Sequence, residues 1–175
     1  RLVMIKGCDY TISFTALEIG EHNFDFKVDK SLFEKFENDD LLNSNVDLKV
    51  KLIKEERVLT FNFYFKGVLN VLCDRCLEPL DFKIEGEKNL FVKFGEEYSE
   101  EESLDDDIII IPNTEHEIDL SHYIYELILL QIPIKCSHPK GKCNSDMIER
   151  INNAEPQIEQ EVDPRWAELK NIKFD

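Results

Sequence analysis

The chain has 175 residues, and its hydrophobic share of 42% is enough for one domain with a real core. With 21 Lys and Arg residues against 37 Asp and Glu residues, the net charge of −16 disfavours non-specific binding to DNA or RNA. Any RNA contact then needs a local basic patch, whereas a basic protein is an easier partner. The charge could also serve solubility alone. No apolar run is long enough to span a bilayer, and residues 1–9 lack the apolar core of a secretory signal. We therefore expect a cytoplasmic protein with neither a membrane nor DNA as a partner.

Period-two hydrophobic alternation predicts short strands at 11–15 and 22–28. Ser31 and Glu34 then have the spacing of a capping box, which predicts the start of a short helix that ends near 38–40. Its expected buried face consists of Leu32, Phe33 and Phe36.

The strongest strand signal is a pair of alternating segments at 46–52 and 59–66, joined by a polar turn at 54–57. Such a pair predicts a long antiparallel hairpin with one face on the core and one face in water. Gly67 has no side chain to pack, so we expect a bulge or bend there before the strand continues to residue 72.

Shorter strand patterns follow at 82–84, 90–94 and 108–111, and Pro112 stops the last of them. Residues 96–107 are mostly acidic and include no basic residue. This composition favours a solvated, mobile loop, with a binding segment for a basic partner as the alternative.

Helix signals dominate the last third of the chain. Asp119 is placed to cap a helix that ends at Pro133, and Ser145 is placed to cap a short one at 144–150. Together with the strands, these elements predict an α+β fold for residues 1–150. In this single domain an antiparallel β-sheet, or a partly closed β-barrel, is packed by a few helices.

A polar linker is predicted at 151–162, followed by a C-terminal helix at 163–175. Asp163 at the N-cap and Pro164 at the first helical position mark the start of this helix. Trp166, the single Trp of the chain, would dock the helix on its own domain or on a partner.

Four cysteines form two local pairs, and each pair follows a predicted element. Cys73 and Cys76 end the long strand pattern, while Cys136 and Cys143 follow the helix that ends at Pro133. Four thiolates brought together in this way predict one structural zinc ion with a closed tetrahedral ligand set. His138 is the reserve ligand if one Cys does not reach, although a solvated loop histidine is the simpler interpretation.

Two alternatives to zinc stay open. The cysteines could be reduced thiols without a metal, or Cys73 and Cys76 could form a redox pair. The redox interpretation is disfavoured because Pro79 and a strand follow, whereas a thioredoxin-like Cys lies at a helix N-terminus. No Gly-rich phosphate loop or nucleophile elbow is present, and His116 and His122 flank a capping Asp119, so we do not expect an enzyme.

Several basic residues lie near the cysteine pairs in sequence, and two more functional candidates lie in the C-terminal segment. The basic residues near the cysteines would partly offset the negative charge of a zinc–thiolate centre or form a small patch for RNA phosphates, and the two C-terminal candidates would contact RNA or a partner. The candidates are Arg75, Lys135, Lys140, Lys142, Arg165 and Trp166.

Several short motifs occur in a fixed order along the chain: Cys73-Asp74-Arg75-Cys76-Leu77-Glu78-Pro79, Glu117-Ile118-Asp119-Leu120, Cys136, Lys140-Gly141-Lys142-Cys143 and Asp163-Pro164-Arg165-Trp166-Ala167-Glu168-Leu169. This ordered set resembles the YceD family, which is named for accumulation of the large ribosomal RNA subunit. The resemblance implies a bacterial, non-enzymatic ribosome-biogenesis factor that supports synthesis, processing or accumulation of 23S rRNA. Its partner would be 23S rRNA or the precursor, directly or indirectly. The alternative is an acidic protein-binding module or chaperone for a basic large-subunit ribosomal protein.

Overall fold

The computed structural model describes residues 3–4, 10–38, 40–96, 99–102 and 107–154. These residues form nine strands, three α-helices and one 3-10 helix at Phe14–Ala16. The strands are β1 (Val3–Met4), β2 (Thr11–Ile12), β3 (Gly20–Asp29), β4 (Leu41–Lys54), β5 (Val58–Leu72), β6 (Pro79–Gly95), β7 (Ser99–Glu102), β8 (Asp107–Pro112) and β9 (Ile118–Asp119). The α-helices are α1 (Lys30–Lys35), α2 (Ser121–Leu129) and α3 (Ser145–Ala154).

Seven of the strands form one sheet in the order β1-β3-β4-β5-β6-β8-β7. Strands β3 to β6 pair antiparallel with their neighbours, whereas β1 on β3 and β8 on β6 are parallel. Among the described residues no pairing joins the two end strands, so the sheet is open. The predicted α+β class with a mostly antiparallel sheet is confirmed, and the barrel alternative is not what forms. Strands β2 and β9 make a separate antiparallel ribbon.

The core lies on one face of the long strands, as the alternation of hydrophobic residues predicts. Val46, Leu48 and Val50 of β4 are buried, and β5 places Phe63 and Phe65 beside them in register. Burying one such side chain contributes about 2 to 3 kcal/mol, so this face supplies much of the stability. Helices α1 and α2 pack on the same face and complete a single core.

Gly67 permits a close approach between β4 and β5 and does not mark a bulge. Its pairing with Val46 continues the ladder without a break. A Cβ at Gly67 would collide with the backbone carbonyl of Asn45 and would lie 2.5 Å from the Cα of Val46. The register shift lies instead between Leu41 and Asn43 of β4.

Two predictions for the segments after β5 need correction. The patterns at 82–84 and 90–94 belong to one strand, β6, which pairs with β5 along its whole length. The acidic segment 96–107 is not simply a loop, because Ser99–Glu102 forms the edge strand β7 on β8. Strand β8 pairs with β6 on one side and with β7 on the other. Strand β7 is at the edge of the sheet, where charged residues are tolerated.

The helix starts differ from the predictions by one or two residues. Asp29, the last residue of β3, caps α1, and its Oδ1 accepts a hydrogen bond from the backbone N–H of Ser31 at 3.0 Å. Asn144 rather than Ser145 caps α3, since its Oδ1 accepts from the backbone N–H of Asp146 at 3.0 Å. In both helices the capping oxygen belongs to the residue immediately before the first helical residue.

The ends of α2 and α3 also differ from the predicted ends. Helix α2 ends at Leu129, short of Pro133. Helix α3 continues to Ala154, four residues into the predicted linker at 151–162. The rest of that linker and the predicted helix at 163–175 lie outside the described residues.

Candidate metal centre

The turn between β5 and β6 holds the first pair of cysteines. The backbone N–H of Cys73 donates to the carbonyl of Glu78 at 2.9 Å, and the N–H of Leu77 donates to the carbonyl of Cys73 at 2.8 Å. Leu77 has a φ of 58°, a left-handed conformation that closes the turn. Cys73 and Cys76 are both buried, so the turn points both thiols inward.

The chain between α2 and α3 lies across this turn. The backbone N–H of Asp74 donates to the carbonyl of Cys136 at 2.9 Å, and the N–H of Cys136 donates to Asp74 Oδ2 at 2.5 Å. Further along, the N–H of Lys142 donates to the carbonyl of Pro139 at 3.0 Å, and Gly141 has a φ of 83°. This turn brings Cys143 back toward the first pair.

The result is a cluster of four potential metal ligands: Cys73, Cys76, His138 and Cys143. One ligand atom from each residue lies within 4.8 Å of all the others. The Cys73 and Cys143 Sγ atoms are 4.0 Å apart, and Cys76 Sγ is 3.4 Å from His138 Nδ1. A tetrahedral zinc ion with Zn–S bonds of about 2.3 Å separates its sulfur ligands by about 3.8 Å. The cluster therefore fits a single zinc ion of the Cys₃His type.

The structure brings together three of the four predicted cysteines and places His138 where Cys136 was expected. Cys136 is buried in the hydrophobic core and is not part of the cluster. The sequence carries a signal for this exchange. His138 and Cys143 are separated by four residues, within the usual range for a zinc-ligand pair, whereas Cys136 and Cys143 are separated by six.

The pKa values of Cys73 and Cys136 are shifted in opposite directions. Burial raises the pKa of Cys73, but hydrogen bonds from the backbone N–H groups of His138, Cys76 and Arg75 outweigh it and lower the pKa to about 6. Burial also raises the pKa of Cys136, and the nearby charges of Asp74 and Cys73 raise it further. A metal ligand must be a thiolate, so the lowered pKa favours Cys73 for that role, whereas Cys136 is excluded by its position in the core, outside the cluster.

His138 and Cys143 complete the cluster from the second segment. Hydrogen bonds with Cys73 and then Cys76 raise the pKa of His138, which favours the protonated imidazole beside the thiolates. Burial, followed by the neighbouring thiolates, raises the pKa of Cys143. Metal binding at this site must therefore release protons, as is general for thiolate and imidazole ligands.

Of the predicted basic residues that the structure describes, Arg75 contacts the cluster and the three lysines are exposed. Arg75 Nη1 donates to Cys143 Sγ at 3.7 Å, while Lys135, Lys140 and Lys142 are exposed. None of the salt bridges among the described residues involves these four side chains. Residues 127–145 contain no Asp or Glu, so this segment is locally basic in an acidic chain. Arg165 and Trp166 lie outside the described residues.

The other histidines named from the sequence are not near this cluster's ligand set. His122 Nε2 lies 3.7 Å from Glu126 Oε1 on the surface of α2, and its ring contacts Phe36 edge-on. His116 accepts a hydrogen bond from Thr15 through its backbone carbonyl.

Among the described helices, none has the length and apolar character needed to cross a membrane.

The fold and the cluster together define an α+β protein with a candidate Cys₃His metal centre at one end of its central sheet. A model of the family described as "Large ribosomal RNA subunit accumulation protein YceD" matches residues 61–173. The chain therefore belongs to the YceD family. The matched region includes all four residues of the cluster and the basic segment beside it. No curated protein and no solved structure matches the chain.

Proposed function

We propose that this protein is a non-enzymatic ribosome-biogenesis factor that supports 23S rRNA accumulation in the bacterial cytoplasm by contacting the rRNA or its precursor. The observation that carries the proposal is the family match over residues 61–173, because the family is described by accumulation of the large ribosomal RNA subunit. The structure supports it with a basic segment whose lysines form no salt bridge among the described residues, in a chain of net charge −16.

A structural zinc ion is part of the proposal. Cys73, Cys76, His138 and Cys143 would hold it, and such a closed set leaves no position for a reacting water. Zinc bound there would tie the turn after β5 to the segment that contains His138 and Cys143. The metal would therefore stabilise a loop and would not take part in a reaction.

The zinc ligands also determine where two of the basic side chains are presented. Lys140 and Lys142 lie between His138 and Cys143 in the sequence, so closing the site fixes the loop that carries them. Lysines in such a loop contact phosphate oxygens without reading sequence, and each phosphate contact adds to the salt dependence of binding. RNA bound at this loop would avoid the acidic remainder of the surface.

Crosslinking in cells tests direct contact. The protein is irradiated with ultraviolet light in its own cells, purified under denaturing conditions, and the attached RNA is sequenced. We expect enrichment of 23S rRNA or its precursor, and we expect the triple variant K135Q/K140Q/K142Q to lose it. The matched control is K27Q/K83Q/K93Q, which removes three exposed lysines elsewhere that form no salt bridge among the described residues.

Both triple variants change the net charge by the same amount, so the comparison isolates the position of the lysines. Equal crosslinking by the two variants would contradict a contact at the 135–142 segment. Absence of RNA from the parent protein, with its fold and metal content intact, would make any effect on rRNA indirect.

The second candidate function is binding of a basic large-subunit ribosomal protein, and one observation favours it. Strand β7 is an edge strand of the sheet, and its sequence is Ser-Glu-Glu-Glu. An extended basic segment could pair with such an edge and be selected by charge. Replacing Glu100, Glu101 and Glu102 by Gln should then abolish a salt-sensitive pull-down of that protein while RNA crosslinking is retained.

A further inference from the structure

A groove of about 520 Å³ lies beside the candidate metal centre. Its floor is apolar and includes Leu41 and Val71 from the sheet with Leu129 and Ile132 from the end of α2. Apolar side chains around the groove are also exposed to solvent. Ile134, which lines the groove, is fully exposed, and Leu130, next to Leu129, is 81% exposed. An exposed apolar surface of this kind is typical of a binding site.

The charged residues that line the groove indicate the charge of the ligand that would bind there. Asp40 and Asp74 are the charged residues among those that line it. A complementary ligand is therefore apolar on the side that enters the groove and carries positive charge near its ends.

Residues 163–173 of the same chain have this composition. Trp166, Leu169 and Ile172 recur every third residue, which places them on one side at helical spacing. Arg165 and Lys173 fall within the same angular range at that spacing. The segment has three basic and two acidic residues, so it is positive within a chain of net charge −16.

The connection is long enough for the segment to reach the groove. Helix α3 starts next to the turn that holds Asp74, since Asn144 Nδ2 donates to Glu78 Oε1 at 2.6 Å. Its ten residues rise about 15 Å, whereas the eight residues 155–162 can span up to about 27 Å. Residues 155–162 are therefore long enough to span the length of α3 and to bring residue 163 back near the start of that helix. The family match includes both the segment and most of the groove.

We propose that residues 163–173 bind in this groove, with the Trp166 side chain on Leu129 and Ile132 and the basic side chains toward Asp40 and Asp74. The segment covers Ile134 and Leu130 and packs beside the loop that carries the metal ligands. The inference does not depend on RNA contact.

The single Trp makes the test direct. Tryptophan fluorescence of the 175-residue chain reports only Trp166, because this chain has one Trp. We expect emission at shorter wavelength than in urea and several-fold weaker quenching by acrylamide. Leu130→Asp and Ile134→Asp should each move emission and quenching to the values in urea, because a charge in the groove opposes apolar binding.

Two controls keep the test interpretable. Both substituted side chains are exposed to solvent in the described residues, so circular dichroism and zinc content should not change. Ile19→Asp changes another exposed side chain, 66% exposed and located at the opposite end of β4, and should leave the fluorescence as in the parent.

Three outcomes would overturn the proposal. Trp166 could be as accessible in the parent as in urea, which would mean that the segment does not dock on the domain. It could be protected but unaffected by Leu130→Asp and Ile134→Asp, which would place it elsewhere. Protection that disappears on dilution would indicate docking on a second copy.

Discussion

Asp74 and Cys136 exchange two hydrogen bonds across 62 residues of sequence. The backbone N–H of Asp74 donates to the carbonyl of Cys136 at 2.9 Å, and Asp74 Oδ2 accepts from the N–H of Cys136 at 2.5 Å. The turn that carries Cys73 and the segment that carries His138 are thus joined by main-chain contacts as well as by the candidate metal ligands. The backbone of Cys136 forms these hydrogen bonds, while its side chain packs in the hydrophobic core.

Asp74→Ala should destabilise the protein by about 1 to 3 kcal/mol, because the N–H of a buried residue, Cys136, loses its acceptor. Urea unfolding at neutral pH measures this change in the free energy of unfolding. Asp74→Asn is the matched control, since it retains an acceptor oxygen and should cost clearly less. Equal losses in the two variants would show that the charge, and not the hydrogen bond, is what matters.

Zinc content should distinguish the ligand set of the structure from a set of four thiolates. We expect about one zinc per chain in protein purified without added metal, and we expect Cys143→Ala and His138→Ala to lower the content sharply. Cys136→Ala should keep its zinc although it loses core packing. Elemental analysis of the purified variants provides the measurement.

Removal of the metal should lower the melting temperature of the parent protein, because zinc binding contributes to folding free energy. A chelator should have no effect on the melting temperature of Cys143→Ala, which serves as the control. Zinc retained by Cys143→Ala but lost from Cys136→Ala would refute the Cys₃His site.

Gly67→Ala should be more destabilising than Gly86→Ala. At Gly67 the new methyl group meets the backbone of Asn45 and Val46, which cannot move without breaking the β4–β5 ladder. At Gly86 it meets the end of the Phe65 ring at 2.7 Å, and a side chain can shift more easily. We expect about 3 kcal/mol or more for Gly67 and about 1 to 2 kcal/mol for Gly86 in urea unfolding. The reverse order would mean that the strands do not approach as described.

Asp119→Asn keeps an acceptor oxygen but loses the charge, so it should lower stability at neutral pH by no more than about 0.5 kcal/mol, and the loss should disappear in acid. Burial raises the pKa of Asp119, but hydrogen bonds from Ser121 and the charge of Lys35 outweigh it and hold the pKa below 3.8. The carboxylate therefore contributes stability above pH 3.8 that is lost as the pH falls through its lower pKa in the folded protein. Lys35 Nζ is 3.6 Å away and both side chains are about half exposed, so the ion pair itself adds little.

The measurement for Asp119 is the free energy of unfolding of the parent and of the Asn variant from pH 7 downward. The two curves should converge below pH 3.8. A difference that is constant over this range would show that the effect comes from something other than the charge of Asp119.

The elements predicted best from the sequence are those specified by neighbouring residues. Phe61, Phe63 and Phe65 alternate with polar residues, and an extended chain with that pattern has one arrangement that buries all three. Cys73 and Cys76 lie at a strand end because the hydrophobic pattern stops there, so half of the candidate metal centre was visible in one short motif. Family membership was likewise visible as an ordered set of short motifs, and the match over residues 61–173 confirms it.

By itself, the sequence determined the strand faces, the fold class and the position of the first pair of candidate ligands, because these depend on residues within a few positions of each other. The tertiary structure decided which residues complete the cluster. Cys136 and His138 are only two positions apart, and the hydrogen bonds of Cys136 to Asp74 place one in the core and the other beside Cys76. It also decided the parallel pairing of β8 with β6 and the pairing of β7 with β8. Such choices depend on contacts between distant segments, whose free energy no local pattern records.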